Sequence, residues 1–315
     1  MKTKNLLWAC GIIFILIGAT AAITYCIAQN ANTNGNNTAY EPRYSDVLSF
    51  EHLDQYVHDI EFPARLDFCG EQVPLDRFYV RESLERELLV NSYLHASTLL
   101  LLKRTSRWFP VIEPIMRQNG LPNDFKYLAM IESSLTNAVS PSKAVGFWQF
   151  LEGTGKEYNL EINKEVDMRY NQELETKAAC QYLKDSYKRF GSWTLAAAAF
   201  NCGNGRINRT IEEQRVNSYY DMLLPNETER YVYRILALKL ITENPQKYGF
   251  HISDEGWYQP LEYKTITVTE SITDLVDFAI NNGTNLKMLK YYNPWLRGTS
   301  LTISEGNSYK IKIPK

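Results

Sequence analysis

A carboxylic acid lies on the apolar stripe of a predicted helix. Phe125, Leu128, Ala129 and Glu132 are spaced i, i+3, i+4 and i+7, so they share one helix face. Burial of Glu132 would raise its pKa, and a helix that ends near Ser133 would raise it further through its dipole. A carboxyl that is protonated near neutral pH is what a general acid requires, so Glu132 is the candidate catalytic residue. The stripe alone is equally compatible with a Glu that points into water at a frayed helix end.

The composition indicates a globular protein and gives no sign of a polyanionic partner. The chain has 315 residues, of which 44% are hydrophobic and 22% charged, and its formal net charge is −2. That length suits one large domain or two modest ones. A net charge this close to zero gives no reason to predict nucleic-acid binding.

The cysteines and histidines do not form a metal-binding pattern. Cys10 and Cys26 flank or lie in an N-terminal apolar run, which leaves Cys69, Cys180 and Cys202 without C-x-x-C spacing. This is neither a disulfide framework nor a zinc site. A Cys180–Cys202 disulfide is compatible with an oxidising compartment, but buried free thiols are favoured. The four His residues show no H-E-x-x-H pattern. The sequence therefore predicts no metal and no cofactor.

The N-terminus predicts export. Lys2 and Lys4 precede an apolar run that ends near residue 27 and is long enough, at about 20 residues, to cross a bilayer. The lysines would keep the N-terminus in the cytoplasm and place the rest outside. Residues 1–28 are then either an uncleaved signal anchor in the membrane or a signal peptide cut after Ala19-Thr20-Ala21, and the length slightly favours the anchor. Residues 29–45, rich in Asn and Thr, predict a flexible linker.

Helical patterns dominate the next two hundred residues. Residues 46–103 read as a helical N-terminal region, most clearly after Val80, and Trp108–Gln118 as a separate helix. Further helices are predicted over Glu173–Phe190 and Trp193–Asn201. The last long helix would start with Asn226 as N-cap and Glu229 as its capping-box partner.

The pattern changes near the C-terminus. Alternation over Tyr263–Val268 and again near Tyr309 predicts two strands, and two short helices lie between them, so residues 258–315 form a β-α-α-β module. The predicted fold class is mainly α, with this small module at the C-terminus.

Four motifs stand in a fixed order along the helical part. They are Ile131-Glu132-Ser133-Ser134, Gly146-Phe147-Trp148-Gln149, Ala199-Phe200-Asn201-Cys202-Gly203, and Glu227-Thr228-Glu229-Arg230-Tyr231-Val232. In this order and spacing they resemble the soluble-lytic-transglycosylase catalytic domain, which has a goose-lysozyme-like fold. The resemblance covers roughly Arg104 to Asn244, and we set the catalytic domain at residues 104–250.

The resemblance implies a helical lysozyme-like domain that cleaves peptidoglycan between MurNAc and GlcNAc without water. Glu132 would protonate the glycosidic oxygen, and the same carboxylate would then take the proton of the sugar's C6 hydroxyl, which gives 1,6-anhydroMurNAc. A single carboxylate departs from the usual glycosidase pair. Two alternatives stay open: a hydrolytic muramidase of the same fold, and a non-catalytic peptidoglycan-binding or scaffold protein.

The resemblance also implies a set of substrate-binding residues around Glu132. They are Ser133, Gly146, Gln149, Phe200, Asn201, Glu227 and Tyr231. Several have structural alternatives: Ser133 could bond backbone at a helix end, Asn201 could cap a helix, Tyr231 could be a core residue, and Glu227 could be a first-turn charge. Phe200 stands where the family usually has Tyr, so one cleft hydroxyl is missing.

The C-terminal module resembles a degenerate LysM repeat that lacks the usual Gly-Asp-Thr opening. LysM modules bind GlcNAc-containing glycans, so the resemblance implies wall targeting, and the alternative is a domain that only stabilises the catalytic part. The expected partners are peptidoglycan glycan strands and, through the N-terminal segment, a membrane. The sequence does not indicate which protein partners the chain has. The expected location is the cell envelope on its exported side, the periplasm.

Overall fold

The computed structural model describes residues 59–315. The predicted signal segment over residues 1–28, the linker over residues 29–45 and the first part of the helical region over residues 46–103 lie outside the described residues. Within residues 59–315, no helix combines the length and the hydrophobicity that a bilayer-spanning segment needs.

The described residues fold into a helical body followed by a small two-stranded module. The helical body opens with a short hairpin and continues through nine helices: β1 (Asp67–Phe68), β2 (Glu71–Gln72), α1 (Phe78–Tyr93), α2 (His95–Gln118), α3 (Lys126–Ser133), α4 (Glu152–Glu157), α5 (Gln172–Phe190), α6 (Trp193–Cys202), α7 (Asn204–Gln214), α8 (Asn226–Glu229) and α9 (Tyr231–Glu243). The module consists of β3 (Tyr263–Val268), α10 (Leu275–Asn281), α11 (Leu286–Tyr292) and β4 (Tyr309–Pro314). The predicted mainly α fold class is confirmed.

Helix α9 is the centre of the helical body. Ten of its residues are buried, including Tyr231 at its first position and Ile241 near its end. A helix that is apolar on all sides must be enclosed by other elements, and α9 packs against α1, α3 and α6. Helix α5 packs against α2 and α6. The helix that carries the candidate acid, α3, is therefore packed against the buried helix α9.

Some predicted boundaries differ from the structure. The predicted helix end at Ser133 is confirmed, and Ser134 caps it in the left-handed conformation. The predicted helical region over residues 46–103 contains a hairpin and α1, and its last residues belong to α2. Trp108–Gln118 is not a separate helix but the second half of α2, which contains Pro110 and Pro114, so the boundary predicted between residues 103 and 104 falls inside a helix. The prediction that Asn226 is an N-cap is wrong: Pro225 holds that position and Asn226 is the first helical residue. Pro225 has the extended backbone that precedes a helix, which displaces the cap by one residue.

The C-terminal module has the predicted β-α-α-β order. Strands β3 and β4 pair antiparallel, with Ile266 opposite Ile311. The module is packed on the helical body through backbone and side-chain bonds. Arg297 N donates to Glu165 O (2.7 Å), and Lys312 forms a salt bridge with Glu173 (2.8 Å). These contacts give the module a structural role in addition to any glycan binding.

Candidate active site

Helix α3 places Glu132 at the edge of the core. A 3₁₀ turn (Asn123–Phe125) leads into the helix, and Phe125, Leu128 and Ala129 are fully buried, as the stripe predicts. Glu132 follows on the same face and keeps partial solvent access. The side chain of Glu132 is therefore partly accessible, and the rest of its surroundings are protein.

The hydroxyl of Tyr231 donates a hydrogen bond to Glu132 Oε1. The two residues are 99 positions apart and are brought together by the packing of α3 on α9. Tyr231 is only 2% exposed, so its hydroxyl is held in place by the core around its ring. Tyr231 is therefore both a core residue and a hydrogen-bond partner of the candidate acid.

Desolvation raises the pKa of Glu132 to about 7. The hydrogen bond from Tyr231 and the positive charge of Arg234 act in the opposite direction, and the negative charge of Glu227 adds to the increase. A carboxyl with a pKa near 7 is present in both protonation states at neutral pH. Glu132 can therefore donate a proton in one step and accept one in the next.

Ser133 connects α3 to the loop that carries the second motif. Its hydroxyl is buried and donates to Phe147 O (3.0 Å) and more weakly to Ala129 O (3.3 Å). This is the backbone-bonding alternative left open by the sequence. Ser133 holds the loop against the Glu132 helix.

Gln149 is partly exposed at the rim of the same loop. It has a left-handed backbone (φ 51°), and its side-chain amide donates to Ala138 O (3.0 Å) and Gly146 O (2.8 Å). Both amide hydrogens are then engaged with the loop, and the side-chain carbonyl is the group left for a ligand.

Gly146 is required by packing inside the protein. Its backbone is left-handed (φ 86°), and a Cβ there would lie 2.0 Å from Arg169 O and 2.4 Å from Glu175 Oε2. The missing side chain at Gly146 therefore allows Arg169 and Glu175 to approach its backbone closely.

Within residues 59–315, Glu175 is a second acid with a raised pKa, and sequence reasoning missed it. It lies on α5 and is fully buried, and Oε2 accepts a hydrogen bond from Trp148 N (3.2 Å). Oε1 accepts no hydrogen bond from any described residue. Desolvation raises the pKa of Glu175 well above its ordinary value, against the lowering effect of the Phe147 and Trp148 amides. Its spacing to Ala178 and Ala179, i+3 and i+4 on an apolar stripe, was a signal that could have revealed it.

Asn201 and Glu227 meet at a junction between α6 and α8. Asn201 Oδ1 accepts from the Thr228 hydroxyl (2.7 Å), and its Nδ2 donates to Glu227 Oε1 (3.3 Å). Glu227 is exposed and Asn201 is partly exposed. The junction positions the start of α9 and hence Tyr231.

Phe200, the residue before Asn201, lies in an aromatic cluster. Its ring contacts those of Trp148, Phe150 and Tyr182 edge-on, at centroid distances of 6.2, 5.8 and 5.1 Å. The Phe200 side chain is partly buried, and these ring contacts fix its position within the protein.

Cys180 and Cys202 are free thiols, as favoured from the sequence.

Two known protein families match separate ranges of the chain. Residues 109–223 match the family described as "Transglycosylase SLT domain", and residues 264–315 match "Soluble lytic transglycosylase C-terminal LysM-like domain". This chain carries a transglycosylase SLT domain. The matched SLT range includes Glu132, Gln149 and Asn201 but ends before Tyr231, which the fold brings to the site.

Two curated relatives support the same assignment. The chain is homologous to membrane-bound lytic murein transglycosylase D of Escherichia coli K12, with 28% identity over 257 residues, which is 79% of this chain and 55% of the relative. The same figures hold for the protein of E. coli O6:H1. The chain thus spans about half the length of these relatives. Among solved structures, the lytic transglycosylase Slt of Pseudomonas aeruginosa shares 17% identity with a TM-score of 0.39, covering 57% of this chain and 35% of that one.

Proposed function

We propose that this protein is a peptidoglycan lytic transglycosylase that cleaves the β-1,4 bond between MurNAc and GlcNAc without water. The observation that carries the proposal is the Glu132–Tyr231 pair: an accessible acid, desolvated to a pKa of about 7, with one oxygen fixed by a buried hydroxyl. The SLT domain around it and the murein-acting relatives supply the substrate class.

In the first step Glu132 donates its proton to the glycosidic oxygen as the C1–O bond of MurNAc breaks. The leaving GlcNAc departs with a free hydroxyl, and positive charge develops at C1 and the ring oxygen. The carboxylate left behind is stabilised by the Tyr231 hydroxyl and by the charge of Arg234, which are the two influences that lower its pKa.

In the second step the Glu132 carboxylate accepts the proton of the C6 hydroxyl, and O6 bonds to C1. The product is 1,6-anhydroMurNAc, and Glu132 is again protonated for the next cycle. One carboxyl with a pKa near the working pH serves both steps, because it loses and regains a proton at similar cost. The site residues assigned to substrate are those with accessible polar atoms: Gln149, Asn201 and Glu227.

Ser133, Gly146 and Phe200 act in this scheme through the protein rather than through the sugar. Ser133 and Gly146 hold the loop over residues 146–149 next to α3, and Phe200 packs in the aromatic cluster beside Asn201.

We place the protein in the cell envelope on its exported side, anchored or delivered by residues 1–28. This location follows from the charge and hydrophobicity of that segment and agrees with the membrane-bound relative.

Mass spectrometry of products released from purified sacculi by the full-length protein tests the proposal. Anhydro-muropeptides that are absent from a Glu132→Gln digest are the expected result. Products with reducing ends would instead assign a hydrolytic muramidase. Retention on sacculi without any release would assign a binding protein.

A further inference from the structure

A pocket of about 550 Å³ lies between the SLT domain and the C-terminal module. Arg104 and Arg107 of α2 line one side, and Lys290 and Arg297 of the module line the other. The segment over residues 135–139, which directly follows the Glu132 helix, contributes a third wall. The volume is in the range of small-molecule and short-peptide sites.

The positive charge of this pocket is not neutralised by the described residues. No Asp or Glu lines it, and none of the four cations forms a salt bridge with an acid within residues 59–315. Their hydrogen bonds go to neutral oxygens: Arg107 Nε donates to Gln259 O (2.8 Å), Lys290 Nζ to Gly298 O (2.7 Å), and Arg104 Nη1 to Ser134 O (3.3 Å).

The two cations of the module affect one another. Burial, together with the positive charge of Arg297, lowers the pKa of Lys290 below its ordinary value. Arg297 Nη1 bonds Pro294 O (3.2 Å), and its guanidinium lies over the ring of Tyr170, 4.4 Å from the centroid. A bound anion would relieve this like-charge repulsion, so the pocket is electrostatically prepared for one.

The other lining side chains indicate what kind of anion fits. Trp108, Tyr170, Tyr258 and Tyr291 form aromatic walls, and Asn137 and Gln172 provide neutral amides. Aromatic faces with a few polar groups bind an organic ligand of peptide size, whereas a bare inorganic ion would leave the aromatic surface unused.

The pocket lies close to the candidate acid along the chain. Leu135 lines it and is three residues from Glu132, so their Cα atoms are no more than about 11 Å apart. An extended peptide of four residues reaches about 13 Å. A peptide attached to a sugar at Glu132 is therefore long enough to reach Leu135 in the pocket wall.

We infer that this pocket binds the carboxylate-bearing peptide stem of the peptidoglycan strand. The inference rests on the proposed function, since the stem is attached to the MurNAc residue that Glu132 would act on. Arg104, Arg107, Lys290 and Arg297 would pair with stem carboxylates, and the aromatic walls would pack on the peptide backbone. The protein would then prefer peptide-bearing glycan over bare glycan.

Calorimetric titration of the full-length protein tests the pocket without any turnover. The probes are a GlcNAc-MurNAc disaccharide with its free-acid peptide, the same disaccharide without peptide, and inorganic phosphate. The variants are Arg104→Gln and Arg297→Gln, with Arg117→Gln as the matched control, because Arg117 is exposed in the last turn of α2 and does not line the pocket.

The expected result is that the peptide-bearing disaccharide binds wild type more tightly than the bare one. Each pocket variant should lose this advantage by about tenfold, equivalent to one charge-assisted hydrogen bond, while Arg117→Gln keeps it. Equal binding of both disaccharides to wild type would overturn the inference. Phosphate that binds as tightly as the peptide-bearing disaccharide would also overturn it and assign a site for free anions.

Digestion of peptide-bearing and peptide-free glycan separates this inference from the proposed function. If wild type releases no product from either substrate, the proposed function fails, and the titration still decides whether the pocket binds the peptide. If wild type cleaves both substrates and Arg297→Gln keeps the wild-type ratio of their rates, the pocket assignment fails while the proposed function stands. A ratio that falls in Arg297→Gln, and not in Arg117→Gln, supports the inference.

Discussion

Glu132 and Glu175 are two desolvated acids in neighbouring parts of the same domain, and their surroundings differ in two ways. Glu132 keeps partial access to solvent and accepts its hydrogen bond from a side-chain hydroxyl, that of Tyr231. Glu175 is fully buried and accepts backbone hydrogen bonds from the loop beside it. Both have a raised pKa, and desolvation is the largest cause in each case.

The comparison shows that a buried acid with a raised pKa is not by itself a catalytic acid. A general acid must reach the atom that it protonates, and of these two acids only Glu132 is partly exposed. Glu175 instead fixes the backbone of Phe147 and Trp148, and through it the loop that Ser133 ties to α3. In the proposed function Glu132 performs the chemistry, and Glu175 holds the loop beside it in place.

The largest expected effect separates the two acids by activity. Glu132→Gln should lower the rate of product release by about 10³-fold, since positioned general acid–base groups contribute that order of magnitude. Glu175→Gln is the matched control, because it makes the same substitution in a residue that substrate does not reach, and it should stay within about threefold of wild type. The rates are measured on purified sacculi. A Glu175→Gln loss as large as that of Glu132→Gln would remove the distinction.

Glu175, unlike Glu132, is expected to matter mainly for the stability of the fold. Glu175→Ala leaves a cavity and deprives the Phe147 and Trp148 amides of their acceptor, so unfolding free energy should fall by about 3 kcal/mol. Urea denaturation gives the value, with Lys177→Ala as a control at an exposed position of the same helix. Equal stability of the Glu175→Ala and Lys177→Ala proteins would show that the loop does not depend on Glu175.

Glu132 and Glu175 also show which parts of the site can be predicted from local sequence patterns. The 3.6-residue periodicity of α3 and its end at Ser133 are local, so Glu132 could be singled out from its own neighbours. The bond between Glu175 and Trp148 joins residues 27 positions apart, and no local pattern encodes it. Residue types also did not reveal that Gly146 is needed for packing on Arg169, because that contact exists only after the loop folds. The cap at Pro225 was displaced by a single residue, which periodicity does not resolve.

The hydrogen bond that distinguishes Glu132 can be removed on its own. In Tyr231→Phe the carboxylate loses a donor that lowers its pKa, so the pKa of Glu132 should increase. The protonated form starts the reaction, and the falling alkaline limb of the pH–rate profile should therefore move to higher pH. Tyr182→Phe is the control, since that hydroxyl bonds Ala199 O (2.9 Å). A limb that stays in place, or moves to lower pH, would contradict the assignment of Tyr231.

The smallest expected effect concerns the hydrogen bond from Ser133, beside Glu132, to the loop that Glu175 contacts. Ser133→Ala removes the hydrogen bond to Phe147 O, which should cost about 1 kcal/mol of unfolding free energy. Urea denaturation beside Ser142→Ala, at an exposed position, measures it. No difference between the two variants would mean that the loop and α3 are held together without Ser133.

The most direct measurement of the central claim is the pKa of Glu132 itself. Carbon-13 NMR of the Glu side-chain carboxyls, with the Glu132 signal assigned by its loss in Glu132→Gln, follows that group through a pH titration. We expect a midpoint near pH 7, because desolvation outweighs the Tyr231 hydrogen bond and the Arg234 charge. A midpoint near the ordinary value of about 4.3 would mean that Glu132 is ionised at neutral pH, and it would contradict its role as the acid.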